Sequence, residues 1–122
     1  MEFSIINLIN IIIALGIFNV WIIRFNKKTD FRGGNALNLK EEFKVYGLPK
    51  WFMYLIGFLK LSFALILILG IWYKSISIYA IYGMTILMIG AILMHLKVND
   101  PFKKYVPALS ILILLATLII NY

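Results

Sequence analysis

The sequence predicts an all-α fold, a four-transmembrane-helix bundle with a short amphipathic helix in its first loop. Three observations predict it. Of 122 residues, 63% are hydrophobic and 14% charged, whereas soluble domains carry roughly 25% charge. The apolar residues gather into four runs, each near the about 20 residues that cross a bilayer as a helix. The basic residues gather between the runs. A chain this short holds one domain. No soluble domain of that size could hide so much apolar surface, so a soluble enzyme is excluded, as is disorder.

The whole chain, 1–122, reads as a single transmembrane domain with spans at about 3–25, 51–72, 76–96 and 105–120. Backbone groups in lipid must bond within their own segment, and the runs exceed a barrel strand, so the spans are helices. The first is expected to be a retained anchor. Glu2 is the only charge ahead of it, and it is too long for a signal-peptide core. Tyr73, Lys74 and Ser75 make a minimal link between spans two and three, which predicts a tight antiparallel hairpin.

The loop at 26–50 is long for a connection without internal structure. Gly33 and Gly34 mark a turn. Ala36, Leu39, Phe43 and Tyr46 then recur at helical spacing, with Lys40, Glu41, Glu42 and Lys44 largely opposite. Asn38 followed by Glu41 reads as a capping box, and Gly47 and Pro49 as the stop. A helix over about 38–46 follows, either a passive interfacial anchor or a lid over the bundle mouth.

Ten of the twelve Lys and Arg residues fall in or beside the first and third connections. The bias places loops 26–50 and 97–104 in the cytoplasm and both termini outside, in a multi-pass protein of the cell membrane. A reporter enzyme fused after Tyr122 is therefore expected to be active outside the cytoplasm; cytoplasmic activity would reverse the topology. Trp21, Trp51, Trp72, Tyr73 and Tyr105 stand near span ends, as an aromatic belt requires.

Few residues offer chemistry. Lys60 lies inside span two, where a charge costs a few kcal/mol and should face protein or water. Gly57 and Ala64 share its face, and small residues mark close packing. A buried lysine needs a counter-charge, for which Glu41, Glu42 and Asp100 are the candidates; the alternative is that Lys60 snorkels to the headgroups. His95 shares a face with Met84, Met88 and Ala91. Seven residues separate Met88 from His95, about 10 Å of helix, too far for one copper ion, so these read as packing residues. Asn7, Asn10 and Asn19 in span one, and Ser110, Thr117 and Asn121 in span four, suit interhelical hydrogen bonds. No metal is expected. Cysteine is absent, which excludes disulfides and thiolate chemistry. No nucleotide or nucleophile motif occurs, so no catalytic residue is assigned, and the basic residues follow span ends rather than a nucleic-acid stripe. Topology gathers Arg24, Glu41, Glu42, Lys60, His95 and Asp100 at one membrane face. They would form a polar pocket at the cytoplasmic mouth of an apolar bundle, suited to a quinone, a lipid or a small anion.

The run Asn19-Val20-Trp21 through Arg24, then Arg32-Gly33-Gly34, Glu41-Glu42-Phe43 and Tyr46-Gly47-Leu48-Pro49, resembles the DoxX-like family of small four-helix membrane proteins. So do Gly57-Phe58-Leu59-Lys60, Gly90-Ala91, Met94 through Val98, Asp100-Pro101 and Pro107-Ala108. The resemblance implies a four-span bundle whose motif residues map onto the same six positions. It also implies two functions. Some relatives are membrane subunits associated with thiosulfate:quinone oxidoreduction, and others belong to oxidative-stress complexes. That favours a binder of a quinone or lipid, or a quinone-linked accessory subunit without a bound cofactor of its own. A vertebrate branch assembles acetylcholine receptors, which favours an assembly chaperone. The bilayer is the expected partner, joined by another membrane protein or a second copy.

Overall fold

A computed structural model describes residues 4–121. Phe3, where the first span was expected to begin, lies outside the described residues, as do Glu2 and Tyr122. Helix α1 covers Ile5–Phe18, and the Ser4 side chain caps it by accepting from the Asn7 N–H at 3.2 Å. The chain then widens into a π-helical turn over Asn19–Ile23, where the Arg24 N–H reaches back to the Asn19 carbonyl at 2.8 Å. Helix α2 covers Leu39–Val45, α3 Lys50–Leu69, α4 Lys74–Lys97 and α5 Phe102–Ile120. Lys74 thus begins α4 rather than sitting in the hairpin link. The four long segments are long and apolar enough to cross a membrane, and this is a membrane protein.

Helix α1 packs on α3 and α5, and α4 on α3 and α5. The four spans therefore form a ring with α1 diagonal to α4, while α2 rests on α3. Large apolar side chains such as Phe58, Ile86, Leu93 and Ile113 face outward, where lipid replaces water as their solvent.

The two halves of the bundle differ. Away from the loop, Ile13, Ala14, Ala64, Leu67, Ala80, Ile81, Met84, Leu115 and Leu118 are buried in a closed core. Asn10 is buried among them, and its Nδ2 donates to the Leu67 carbonyl at 3.1 Å, linking α1 to α3 as expected. Ser110, Thr117 and Asn121 behave otherwise. Each bonds a carbonyl four residues back in α5; Ser110 and Asn121 are exposed and Thr117 is half-buried. The cause is local: a short polar side chain on a helix reaches its own preceding turn before any neighbour. Toward the loop, the core opens into cavities.

The loop helix forms as its cap predicts. Asn38 is extended, and its Oδ1 accepts from the Glu41 N–H at 2.9 Å. Ala36, Leu39, Phe43 and Tyr46 are all buried. Gly47, at φ +78°, turns the chain out of the helix, a conformation that costs glycine little. Trp51, Trp72 and Tyr73 are exposed at span ends, but Trp21 is not part of that belt. It turns inward and is buried against Phe43, with ring centroids 5.8 Å apart. Gly57 makes this approach feasible, because a Cβ there would stand 2.7 Å from the indole.

Candidate functional site

The loop turn, α2, and the facing ends of α4 and α5 are joined by one hydrogen-bonded chain. Asn99, in the left-handed region at φ +57°, bends the chain sharply after α4. The bend returns Asp100 to the end of its own helix, where Oδ2 lies 2.7 Å from His95 Nδ1. Asp100 Oδ1 accepts from the Gly34 N–H at 2.9 Å. His95 Nε2 lies 3.3 Å from the Tyr46 hydroxyl, which donates to Glu42 Oε1 at 3.2 Å. Glu42 Oε2 accepts from the Gly33 N–H at 3.2 Å and lies 3.8 Å from Arg32 Nη1. Two further cations fasten the loop through its carbonyls. Lys97 donates to Tyr46 O at 2.8 Å, and Lys104 donates to Gly34 O.

Electrostatics fix the roles along this chain. Burial, with Glu42 beside it, pushes the Tyr46 phenol above its ordinary pKa, so Tyr46 stays protonated and donates. Tyr46 has one proton, and it goes to Glu42. His95 therefore meets the Tyr46 oxygen through Nε2 and the Asp100 carboxylate through Nδ1, so one imidazole ties α2 to the bend after α4. Burial lowers the Arg32 pKa and the Glu42 charge opposes that shift; an arginine so placed remains charged. Arg32 Nη2 donates to the carbonyls of Arg24 and Lys27, while its buried Nε has no partner among the described residues.

Two cavities lie beneath this roof. One, of about 340 Å³, sits between α3 and α4 under α2. Leu39, Phe43, Phe52, Ile56, Leu87 and Met94 make its walls mostly apolar. The other, of about 560 Å³, is bounded by the π-helical turn, the loop, α4 and α5, and is the more polar of the two, with charged side chains set into a largely apolar wall. Trp21, Glu42 and Lys60 line both. Lys60 is 9% exposed, and its Nζ lies 5.5 Å from the centroid of the Trp21 ring, within cation–π range.

The six residues expected to form a pocket therefore separate. Arg24, Glu42, Lys60 and His95 share the polar cavity. Asp100 stands behind His95 and holds the roof. Glu41 lines neither cavity; its backbone N–H serves the Asn38 cap. The counter-charge expected for Lys60 is not there, since among the described residues no carboxylate lies within 4.0 Å of its Nζ. Glu42 shares both cavities with it, but its oxygens are engaged by Gly33, Tyr46 and Arg32. Burial of Gly57, Lys60 and Ala64 together does match the packed face that the small residues marked.

Three participants stand outside the six expected site residues. Arg32 reads in the sequence as a loop charge and as part of the Arg32-Gly33-Gly34 motif, and the turn at the paired glycines folds it inward. Tyr46 was placed on the buried stripe without a partner, yet Glu42 precedes it by one helical turn. Trp21 was assigned to the belt.

A family model described as the DoxX-like family matches residues 32–118, from the buried Arg32 through most of α5. Neither a curated protein nor a solved structure matches the chain.

Proposed function

The chain belongs to the DoxX-like family, and on that premise we propose that it binds a small amphiphile, a quinone or a lipid, at the loop end of the bundle. The head, bearing acceptor oxygens, sits in the polar cavity, and the apolar part lies in the cavity between α3 and α4. The observation that carries this reading is Lys60. A buried ammonium without a carboxylate partner stands where an apolar and a polar cavity meet. Leaving such a charge unpaired is costly, and a ligand oxygen supplies what the protein does not. We assign this end to the cytoplasm from the basic residues of its loops.

The experiment uses Trp21 as reporter, in a Trp51→Phe/Trp72→Phe background that leaves it the sole indole. Decylubiquinone and lipids brominated on the acyl chain quench indole fluorescence on contact. Saturable quenching of Trp21 by one of them is expected. Gly90→Phe should abolish it, because Gly90 lines the apolar cavity and a Cβ there meets no atom within 4 Å, so the ring fills the cavity. Equal quenching with and without the phenylalanine would place the amphiphile elsewhere.

The second reading, an assembly factor that grips client helices, is favoured by α5. Only Leu115 and Leu118 are buried in that span, which leaves most of it open to lipid or to another helix.

A further inference from the structure

We propose that the head bound in the polar cavity is the phosphoryl group of an anionic phospholipid, whose acyl chain passes Lys60 into the apolar cavity. This rests on the amphiphile reading above and names the chemical class of the head.

The charge of the lining carries the argument. Arg24, Lys28, Arg32, Lys60 and Lys104 line the polar cavity against two carboxylates, Asp30 and Glu42. That leaves a surplus of three positive charges before His95 is counted. Arg32 and Glu42 lie close enough to offset each other, and among the described residues no carboxylate is within 4.0 Å of Lys60 Nζ. Lys60 is more than nine-tenths buried and, among the described residues, has no ion pair. Desolvated cations with open donor positions bind charged oxygens far more strongly than neutral ones. A quinone carbonyl accepts a hydrogen bond but leaves the surplus charge in place. A phosphodiester offers several acceptor oxygens and removes one unit of it. The source follows from the adjoining cavity. Its apolar walls meet the polar site at Lys60, so the anion arrives with a hydrocarbon chain attached. A choline head is disfavoured, since it would add a quaternary ammonium to an already cationic lining.

The test uses the Trp21 reporter protein, stripped of lipid in neutral detergent. Phosphatidylglycerol, phosphatidylcholine and diacylglycerol, each brominated on one acyl chain, are titrated separately, and decylubiquinone is titrated beside them. Phosphatidylglycerol is expected to bind about tenfold or more tightly than the other three, the scale set by one desolvated charge contact. Lys60→Met should reduce its affinity to that of diacylglycerol. The headgroup series on the unsubstituted cavity decides the matter even where that variant folds poorly. Inorganic phosphate is the competing arm. Phosphatidylglycerol that resists millimolar phosphate identifies the lipid as the source, whereas displacement by micromolar phosphate overturns the lipid assignment. If phosphatidylcholine, diacylglycerol or decylubiquinone binds as tightly as phosphatidylglycerol, the anionic head is wrong while amphiphile binding stands. If none of the four quenches Trp21 saturably, both readings fall.

Discussion

Replacing Lys60 by methionine is expected to stabilise the ligand-free bundle while abolishing its preference for an anionic head. A lysine near the centre of a membrane helix costs about 2.5–3.5 kcal/mol on insertion scales. The Trp21 face returns about 0.5–2 kcal/mol. Methionine matches the length of the stem without the charge, so a gain of roughly 1–2 kcal/mol remains. Had Lys60 been salt-bridged, as the sequence predicts, the same change would strand a carboxylate and destabilise the fold. The sign therefore separates the two arrangements. Thermal unfolding of delipidated protein in detergent measures it, and a lower midpoint for the methionine variant would reinstate the salt bridge. Opposite effects on stability and on binding are what a residue kept for its ligand should show.

Asp100→Ala is expected to weaken the fold by more than Lys60→Met strengthens it. Asp100 holds two donors, His95 Nδ1 and the Gly34 N–H, and its side chain is 4% exposed. Alanine leaves both without an acceptor. A buried donor left unpaired costs about 1–3 kcal/mol, so the two together cost roughly 2–6 kcal/mol. Asp100→Asn keeps an acceptor for Gly34 and should lose about half as much. Hydrogen exchange across α2 provides the second measurement. Amides from Glu41 to Tyr46 should lose protection in the alanine variant, while those of the closed core between α1 and α3 keep theirs. Uniform loss across the bundle would show that Asp100 supports the fold at large and not the roof.

Much of this architecture was readable from the chain, for reasons that differ by element. The four spans and the α2 helix are local facts. Span length is fixed by bilayer thickness, and the Asn38 cap with its Leu39–Phe43 stripe needs no distant partner. The facing of Gly57, Lys60 and Ala64 was equally legible, because helical periodicity puts them on one side and charge forbids lipid on that side. Partners were not legible. Glu41 and Glu42 look alike in sequence, but one belongs to the first turn beneath the cap and the other faces Tyr46 a turn later. Topology places Lys60 and three acids at one end of a bundle without saying which bonds those acids already make. Trp21 was misassigned because a span-end tryptophan and a core tryptophan carry the same sequence signature until a glycine on another helix is seen to admit the ring.

The bend at Asn99 has a consequence for the order of assembly. His95 and Asp100 are five residues apart and pair as soon as α4 ends. Their bond to Gly34, by contrast, closes a loop of 66 residues. Contacts across so long a separation form late, because the entropy of closing the loop is lost before the contact repays it. During synthesis α1, α2 and α3 emerge first, and the cavity they begin to enclose stays unroofed until the last hairpin arrives. The nascent chain thus presents Lys60 and Trp21 to the bilayer while their final cover is still being made. On the amphiphile reading proposed above, the ligand loads from the side at that stage, without the roof ever having to open.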